Sequence, residues 1–199
     1  MTRRVRRWSD LLLTLVAMGS VPPGVSGQTT DLRGVARTAG RPAADTVVWL
    51  EAPDAPPPPA TPPRALLDQR NLSFVPRVLV VRAGTLVDFP NNDRVFHNVF
   101  SFRDGQRFDL GLYPVGTRRR VAFDRPGLSR VFCNIHPNMA AYVMTVESPY
   151  FARSDEAGAF TIAGVPVGTY TYHAWRPGAV EELTGTWASP DGALSITWP

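Results

Sequence analysis

The sequence of 199 residues holds one cysteine and no lysine; all 21 of its basic residues are arginine. A single thiol excludes an intramolecular disulfide, so the fold has to be held by its core alone. Histidine is scarce, three in all, and methionine is limited to four, which makes any clustering among them informative. Charged residues are only 19 %, yet an apolar share of 44 % is too high for a disordered chain. No apolar run reaches the roughly 18 residues that a membrane-crossing helix requires. Helical periodicity of useful length is absent, and so is any internal repeat. What the chain has in excess is 20 prolines and 16 glycines. That excess argues against a helical bundle and for many short strands joined by tight turns.

At the N-terminus, Arg3, Arg4, Arg6 and Arg7 precede an apolar run from Leu11 to Met18 and then small residues. This is the pattern of a secretory signal, with cleavage near Ser26–Gly27; the other reading is an uncleaved interfacial anchor. With residues 1–27 removed, four arginines and Asp10 are lost, leaving 17 arginines against 16 acids and a formal charge of +1. The basic character belongs mainly to the signal, and nucleic-acid binding loses its support. The expected location is the periplasm, with no membrane span left in the mature chain. In such an oxidising compartment a lone thiol is buried, paired with another chain or bound to a metal.

Three textures follow. Residues 28–51 read as a strand, a turn at Gly40–Pro42 and a strand over Thr46–Leu50. Residues 52–65 are proline-rich and read as an extended, semi-rigid linker, because proline lacks the N–H a sheet ladder needs. Residues 66–148 carry strands near Val78–Val81, Thr85–Phe89, Arg119–Phe123 and Ser129–Cys133, then a last one in which Tyr142, Met144 and Val146 share a face. Residues 149–199 hold three more, over Gly158–Ala163, Thr169–Trp175 and Ala193–Trp198. The fold class read from this is all-β, with a small β-sandwich over 66–148.

The segment that carries chemistry is Cys133-Asn-Ile-His136-Pro-Asn-Met139, a thiol, an imidazole and a thioether within seven residues. A second imidazole, His97, lies 36 residues upstream. Thiolate and thioether together favour a soft or borderline ion, and two imidazoles with them suit copper, which cycles between a sulfur-liking and an imidazole-liking state. Zinc would accept the thiolate and imidazoles, but thioether serves it poorly and no obvious fourth ligand stands nearby. Haem attachment would need Cys-x-x-Cys-His. The metal ligands expected are therefore His97, Cys133, His136 and Met139, with one copper ion, Cu(I)/Cu(II), as cofactor and no catalytic residues. The Asn98 N–H is placed to hydrogen-bond the Cys133 sulfur. Taken singly, Cys133 is a small buried hydrophobe, Met139 core filler and His136 a turn residue; their joint occurrence is what points to a metal. Met144 competes for the axial place, although its strand position suits packing, and His173 reads as structural or surface.

From Gln69 to Val146 the chain resembles the cupredoxins, the blue-copper family. The residues concerned are Phe74-Val-Pro76, Gly84, Val87-Asp-Phe89, Asn92-Asp93, His97-Asn-Val99, Pro126-Gly127 and Cys133-x-x-His136-x-x-Met139. The short Cys–His–Met loop is more similar to that of amicyanin than to the longer loop of plastocyanin. The resemblance implies a Greek-key sandwich, a weak axial role for Met139, and electron exit through His136. It also implies an apolar docking surface for a redox partner around His136, Pro137, Tyr113 and Pro114. The flanks, Gly34-Val-x(4)-Gly40-x-Pro42 and Gly158-x-Phe160-x-Ile162 with Val165-Pro-x-Gly168-x-Tyr170, resemble a carboxypeptidase regulatory-like (transthyretin-like) sandwich. On that resemblance the copper domain is inserted in, or packed beside, this second sandwich, as in exported proteins of the methylamine-utilisation type.

The function expected is an exported type 1 copper protein acting as a one-electron carrier. Copper storage or delivery is an alternative, and so is a binding module whose metal site is structural. An enzyme is not expected, since a second copper centre needs several more histidines and only His173 is spare. Arg118-Arg119-Arg120 reads either as a solvated strand edge or as a steering element for an acidic redox partner.

Overall fold

The computed structural model describes residues 27–102, 104–189 and 192–199. The expected signal lies outside them, apart from Gly27. The described residues are strands and turns throughout. The first segment gives β1 (Thr29–Thr38), β2 (Arg41–Pro42) and β3 (Val47–Leu50). After the proline-rich stretch come β4 (Arg64–Leu66), β5 (Asp68–Arg70), β6 (Ser73–Val75), β7 (Val78–Arg82) and β8 (Thr85–Pro90). They are followed by β9 (His97–Ser101), β10 (Phe108–Tyr113), β11 (Arg118–Phe123), β12 (Gly127–Phe132) and β13 (Ala140–Val146). The last segment supplies β14 (Phe151–Arg153), β15 (Ala159–Pro166), β16 (Thr169–Trp175), β17 (Leu183–Ala188) and β18 (Leu194–Trp198).

The middle strands make one sandwich. A five-stranded sheet in the order β10-β9-β12-β13-β7 faces a three-stranded sheet in the order β11-β8-β4. Alternation of apolar side chains sends Val87 and Phe89 from β8, Val99 from β9 and Val131 from β12 into one core between them. Two pairings are parallel, β13 with β7 and β4 with β8.

The first and last segments together make the other sandwich. Strand β1 lies between β15, antiparallel, and β18, parallel. The facing sheet runs β14-β3-β16-β17. Its core holds Leu32, Leu50, Phe160, Ile162, Trp187 and Ile196. Gly158 closes this core: its carbonyl accepts from the Ala36 N–H at 2.8 Å, and its φ is +77°. A Cβ there would stand 2.3 Å from the Ala36 carbonyl oxygen. Gly158→Ala should therefore destabilise the protein by about 2 kcal/mol or more, measured by chemical denaturation; an unchanged midpoint would contradict this account.

The sandwiches pack through a third cluster, in which Val47 and Trp175 of one meet Val78, Met144 and Val146 of the other. Strand β13 thus buries both faces, with Ala141 and Val143 turned to the middle core and Tyr142, Met144 and Val146 to this junction. Strand β3 does the same, with Val48 and Leu50 on one side and Val47 and Trp49 on the other. Strands covered on both faces read as continuous apolar runs, as Ala-Ala-Tyr-Val-Met-Thr-Val and Val-Val-Trp-Leu do. The proline-rich stretch is pinned to the middle sandwich by Arg82, whose guanidinium donates to the carbonyls of Pro56 and Pro57.

Asp88, on β8, contributes acid sensitivity. The bidentate hydrogen bond from Arg120 holds its carboxyl below the usual carboxylate range against the opposing effect of burial, and the charges of Arg120, Arg118 and Arg64 add to the lowering. A lowered folded-state pKa means that stability is present above the unfolded pKa, about 4, and is lost as pH falls through the folded value. Asp88→Asn should flatten that acid limb in denaturation curves taken between about pH 5 and pH 2; an unchanged limb would remove Asp88 from the explanation.

Candidate metal centre

One end of the middle sandwich gathers the scarce residues of the sequence. His97 opens β9, and is fully buried. As the first residue of that strand it is paired across to Tyr113. Cys133 follows directly on β12 and is buried, and His136 is half-buried in the loop that leads to β13. That loop is closed on itself, since the Cys133 N–H donates to the Met139 carbonyl at 3.2 Å and the Met139 N–H to the His136 carbonyl at 2.9 Å.

Both imidazoles present Nδ1 to the thiol. The two Nδ1 atoms are 3.1 Å apart, and Cys133 Sγ lies 3.5 Å from that of His136 and 3.9 Å from that of His97. The circumcentre of this triangle is roughly 2.0 Å from each atom, the length of a bond from a first-row ion to imidazole nitrogen and close to the roughly 2.3 Å of one to thiolate. An ion of that size therefore fits the three atoms in a trigonal arrangement without moving them. Met139 is buried in the same core cluster as Cys133, whereas Met144 lies in the junction between the sandwiches. The three donors shown, two imidazoles and a thiolate, suit copper.

Asp93 orients His97, a role the sequence reading did not give it. Its Oδ2 is 3.0 Å from His97 Nε2, and its side chain is only 8 % exposed. Burial works to raise the Asp93 pKa, but hydrogen bonds from the backbone N–H groups of Leu72 and Arg94 and from His97 outweigh it and hold the carboxyl below its usual range. An ionised carboxylate can only accept, so Nε2 carries the hydrogen and Nδ1 keeps its lone pair toward Cys133. The signal available in the sequence was an acid four residues before a histidine, too common to use alone. The loop holding Asp93 is itself fixed, with Asn92 Nδ2 on Asp68 Oδ1 at 2.9 Å and the Asp93 N–H on Asn91 Oδ1 at 3.1 Å.

Two expectations are corrected. Tyr113 is not part of an exposed surface: it is fully buried, accepts from Gln69 Nε2 and donates to the Phe89 carbonyl. Burial pushes its pKa up to about 12, against the opposing bond from Gln69 and charge of Arg119. It faces inward because it is the residue of β10 paired with buried His97, while Leu112 before it and Pro114 after it are exposed. Among the described residues the Asn98 N–H makes no bond to the sulfur either; the hydrogen-bond neighbours of Sγ are the two imidazoles, and the Asn98 side chain donates to Asp109. His173 lies in the other sandwich, stacked on Trp49 at 5.1 Å and held between Glu51 and Glu182.

No protein-family model matches the chain, and no curated protein does. Solved structures similar to part of it include a purple cupredoxin from Nitrosopumilus maritimus, 24 % identical over 42 % of this chain and 99 % of that one, with a TM-score of 0.38. Amicyanin from Paracoccus versutus is 20 % identical over 50 % of this chain and 97 % of its own, with a TM-score of 0.38. A copper-containing nitrite reductase from Thermus scotoductus is 25 % identical over 50 % of this chain but only 25 % of its own, with a TM-score of 0.41. Each of these likenesses covers half of the chain or less. The described residues of the middle sandwich form two facing sheets with an imidazole–thiolate group at one end.

Proposed function

We propose that the protein is an exported mononuclear copper protein that carries single electrons and converts no substrate. The observation that carries this reading is the triangle of His97 Nδ1, His136 Nδ1 and Cys133 Sγ, sized for one ion and fixed from behind by Asp93. A bound copper ion would supply a one-electron Cu(I)/Cu(II) couple. The protein's part is to hold the same three donors in both oxidation states: β9 fixes His97, the closed loop fixes Cys133 and His136, and the core around Met139 excludes water. Small rearrangement between states is what rapid electron exchange requires. His136 is the half-exposed donor and gives the exit toward a redox partner.

The apolar run after the N-terminal arginines supports export to the periplasm. The second sandwich we take to be of the carboxypeptidase regulatory-like kind, acting as a brace; its support is the close approach of Gly158 to β1 and the shared junction around Trp175.

The test is an absorption spectrum of the purified mature protein with added Cu(II), followed by reduction and reoxidation. Intense visible absorption with reversible one-electron cycling is expected. A colourless protein that releases copper on reduction overturns the carrier reading in favour of storage or delivery, and stability unchanged by copper favours a binding module. Met139→Ala should keep copper bound, shift the reduction potential and, because Met139 is fully buried, lower stability by about 2–5 kcal/mol. An unchanged potential would take Met139 out of the coordination.

A further inference from the structure

Charge is divided unevenly between the two sandwiches. Residues 64–148 carry twelve arginines and seven acids, a formal +5, while residues 28–63 and 149–199 together carry five arginines and nine acids, a formal −4. The division sharpens at the end that holds the imidazole–thiolate group. That end is built from four segments, 68–77, 91–97, 112–120 and 133–140, tied to one another by side-chain and backbone bonds. Leu72 N–H reaches Asp93, Gly116 N–H reaches the Asn91 carbonyl, and His136 meets His97. The four segments contain six arginines but only two acids, Asp68 and Asp93. Both acid side chains are 8 % exposed or less, and both are fully engaged, Asp68 with Arg70, Asn92 and the Gln69 N–H, Asp93 with His97 and two backbone donors. Asp88, beside this end, is spent on Arg120 and Arg118.

What remains outward is positive and apolar. Leu72, Val95, Phe96, Val115 and Ile135 are each between 40 % and 52 % exposed. Among them stand the exposed Arg94 and Arg119, the latter with its guanidinium 5.9 Å from the centroid of the Tyr113 ring, and Arg118, whose side chain is 59 % exposed. An apolar patch lacking any exposed carboxylate within these four segments and set among arginines has a definite complement: apolar contact at the centre and negative charge at the rim.

We propose that this end of the molecule docks an acidic protein surface, steered by Arg94, Arg118 and Arg119 onto the patch around His136. The inference rests on the electron-carrier reading, since it names the partner class for that exit, but its binding test does not depend on copper. The probe is a polyglutamate peptide of about 20 residues, titrated into the metal-free, isotope-labelled protein and followed by amide shifts. Shifts are expected at residues 94–97, 115–119 and 134–137, weakening as salt rises through about 0.2 M. Arg94→Glu with Arg119→Glu should lower the affinity about tenfold, and Arg94→Glu alone severalfold, with amide dispersion reporting that both remain folded. Arg33→Glu with Arg41→Glu, an equal charge change on the other sandwich, should alter it less than about twofold.

The proposal is overturned if the two double variants weaken binding equally, because only net charge then matters. It is also overturned if the shifts map elsewhere, if anionic lipid vesicles compete the peptide away and bind the same face more tightly, or if sedimentation shows this face occupied by the acidic sandwich of a second copy. In parallel, the reduced copper protein can be oxidised by hexacyanoferrate(III), which takes one electron and becomes hexacyanoferrate(II). That rate should fall in the Arg94/Arg119 variant and hold in the Arg33/Arg41 one. Peptide binding without electron exchange sinks the carrier reading and leaves the docking surface standing; electron exchange without peptide binding at this end does the reverse.

Discussion

Cys133→Ser abolishes the intense visible absorption expected of the copper-loaded protein. The thiolate would be the source of that colour, and a serine hydroxyl stays protonated at neutral pH and offers no soft donor. The fold should survive, because the bond that closes the loop is between the Cys133 backbone N–H and the Met139 carbonyl. The new hydroxyl would face His136 Nδ1, which lies 3.5 Å from the sulfur in the half-buried loop, and a small shift of that loop would give it a partner. The comparison is made by absorption and circular dichroism on the two proteins loaded with equal copper. A serine variant that stays blue would mean that the sulfur is not a ligand.

Asp93→Asn lowers copper affinity by about 10–100-fold, the usual cost of removing the group that holds a ligating imidazole. Asn keeps the size and one acceptor oxygen, so the loop should hold. Its amide can donate to His97 Nε2, and that favours the tautomer with hydrogen on Nδ1, the atom that faces Cys133. The measurement is competition with a chelator of known affinity, together with thermal stability of the metal-free form. Unchanged affinity would limit Asp93 to holding the Leu72 and Arg94 backbone. Asp93→Glu should recover part of the loss, because the carboxylate is restored at the wrong length.

These effects differ in how far the sequence foretold them. Cys133, His136 and Met139 stand within seven residues, so their common location is a matter of local chain geometry. Strand bounds such as Thr169–Trp175 were legible for the same local reason, apolar alternation ended by glycine and proline. Asp93 was not legible, since its role depends on the Leu72 N–H reaching across from another hairpin. Strand β10 went unread because it lies at a sheet edge with one buried residue in six, which leaves little apolar alternation, and β17 likewise. The inward turn of Tyr113 follows from its pairing with His97, which no local pattern encodes.

By itself the sequence determined an all-β chain, the kinds of donor atom available and the scarcity that made their grouping meaningful. Those are properties of composition and of neighbours along the backbone. The tertiary structure alone decided that both Nδ1 atoms turn to one sulfur, that β1 is completed by strands more than 120 residues away, and that β3 and β13 are covered on both faces. It also decided which carboxylates are spent inside and which arginines are left outside, because exposure depends on all the elements that meet at a surface. Long-range pairing sets these features, and the energies that select them are summed over contacts that the linear order does not reveal.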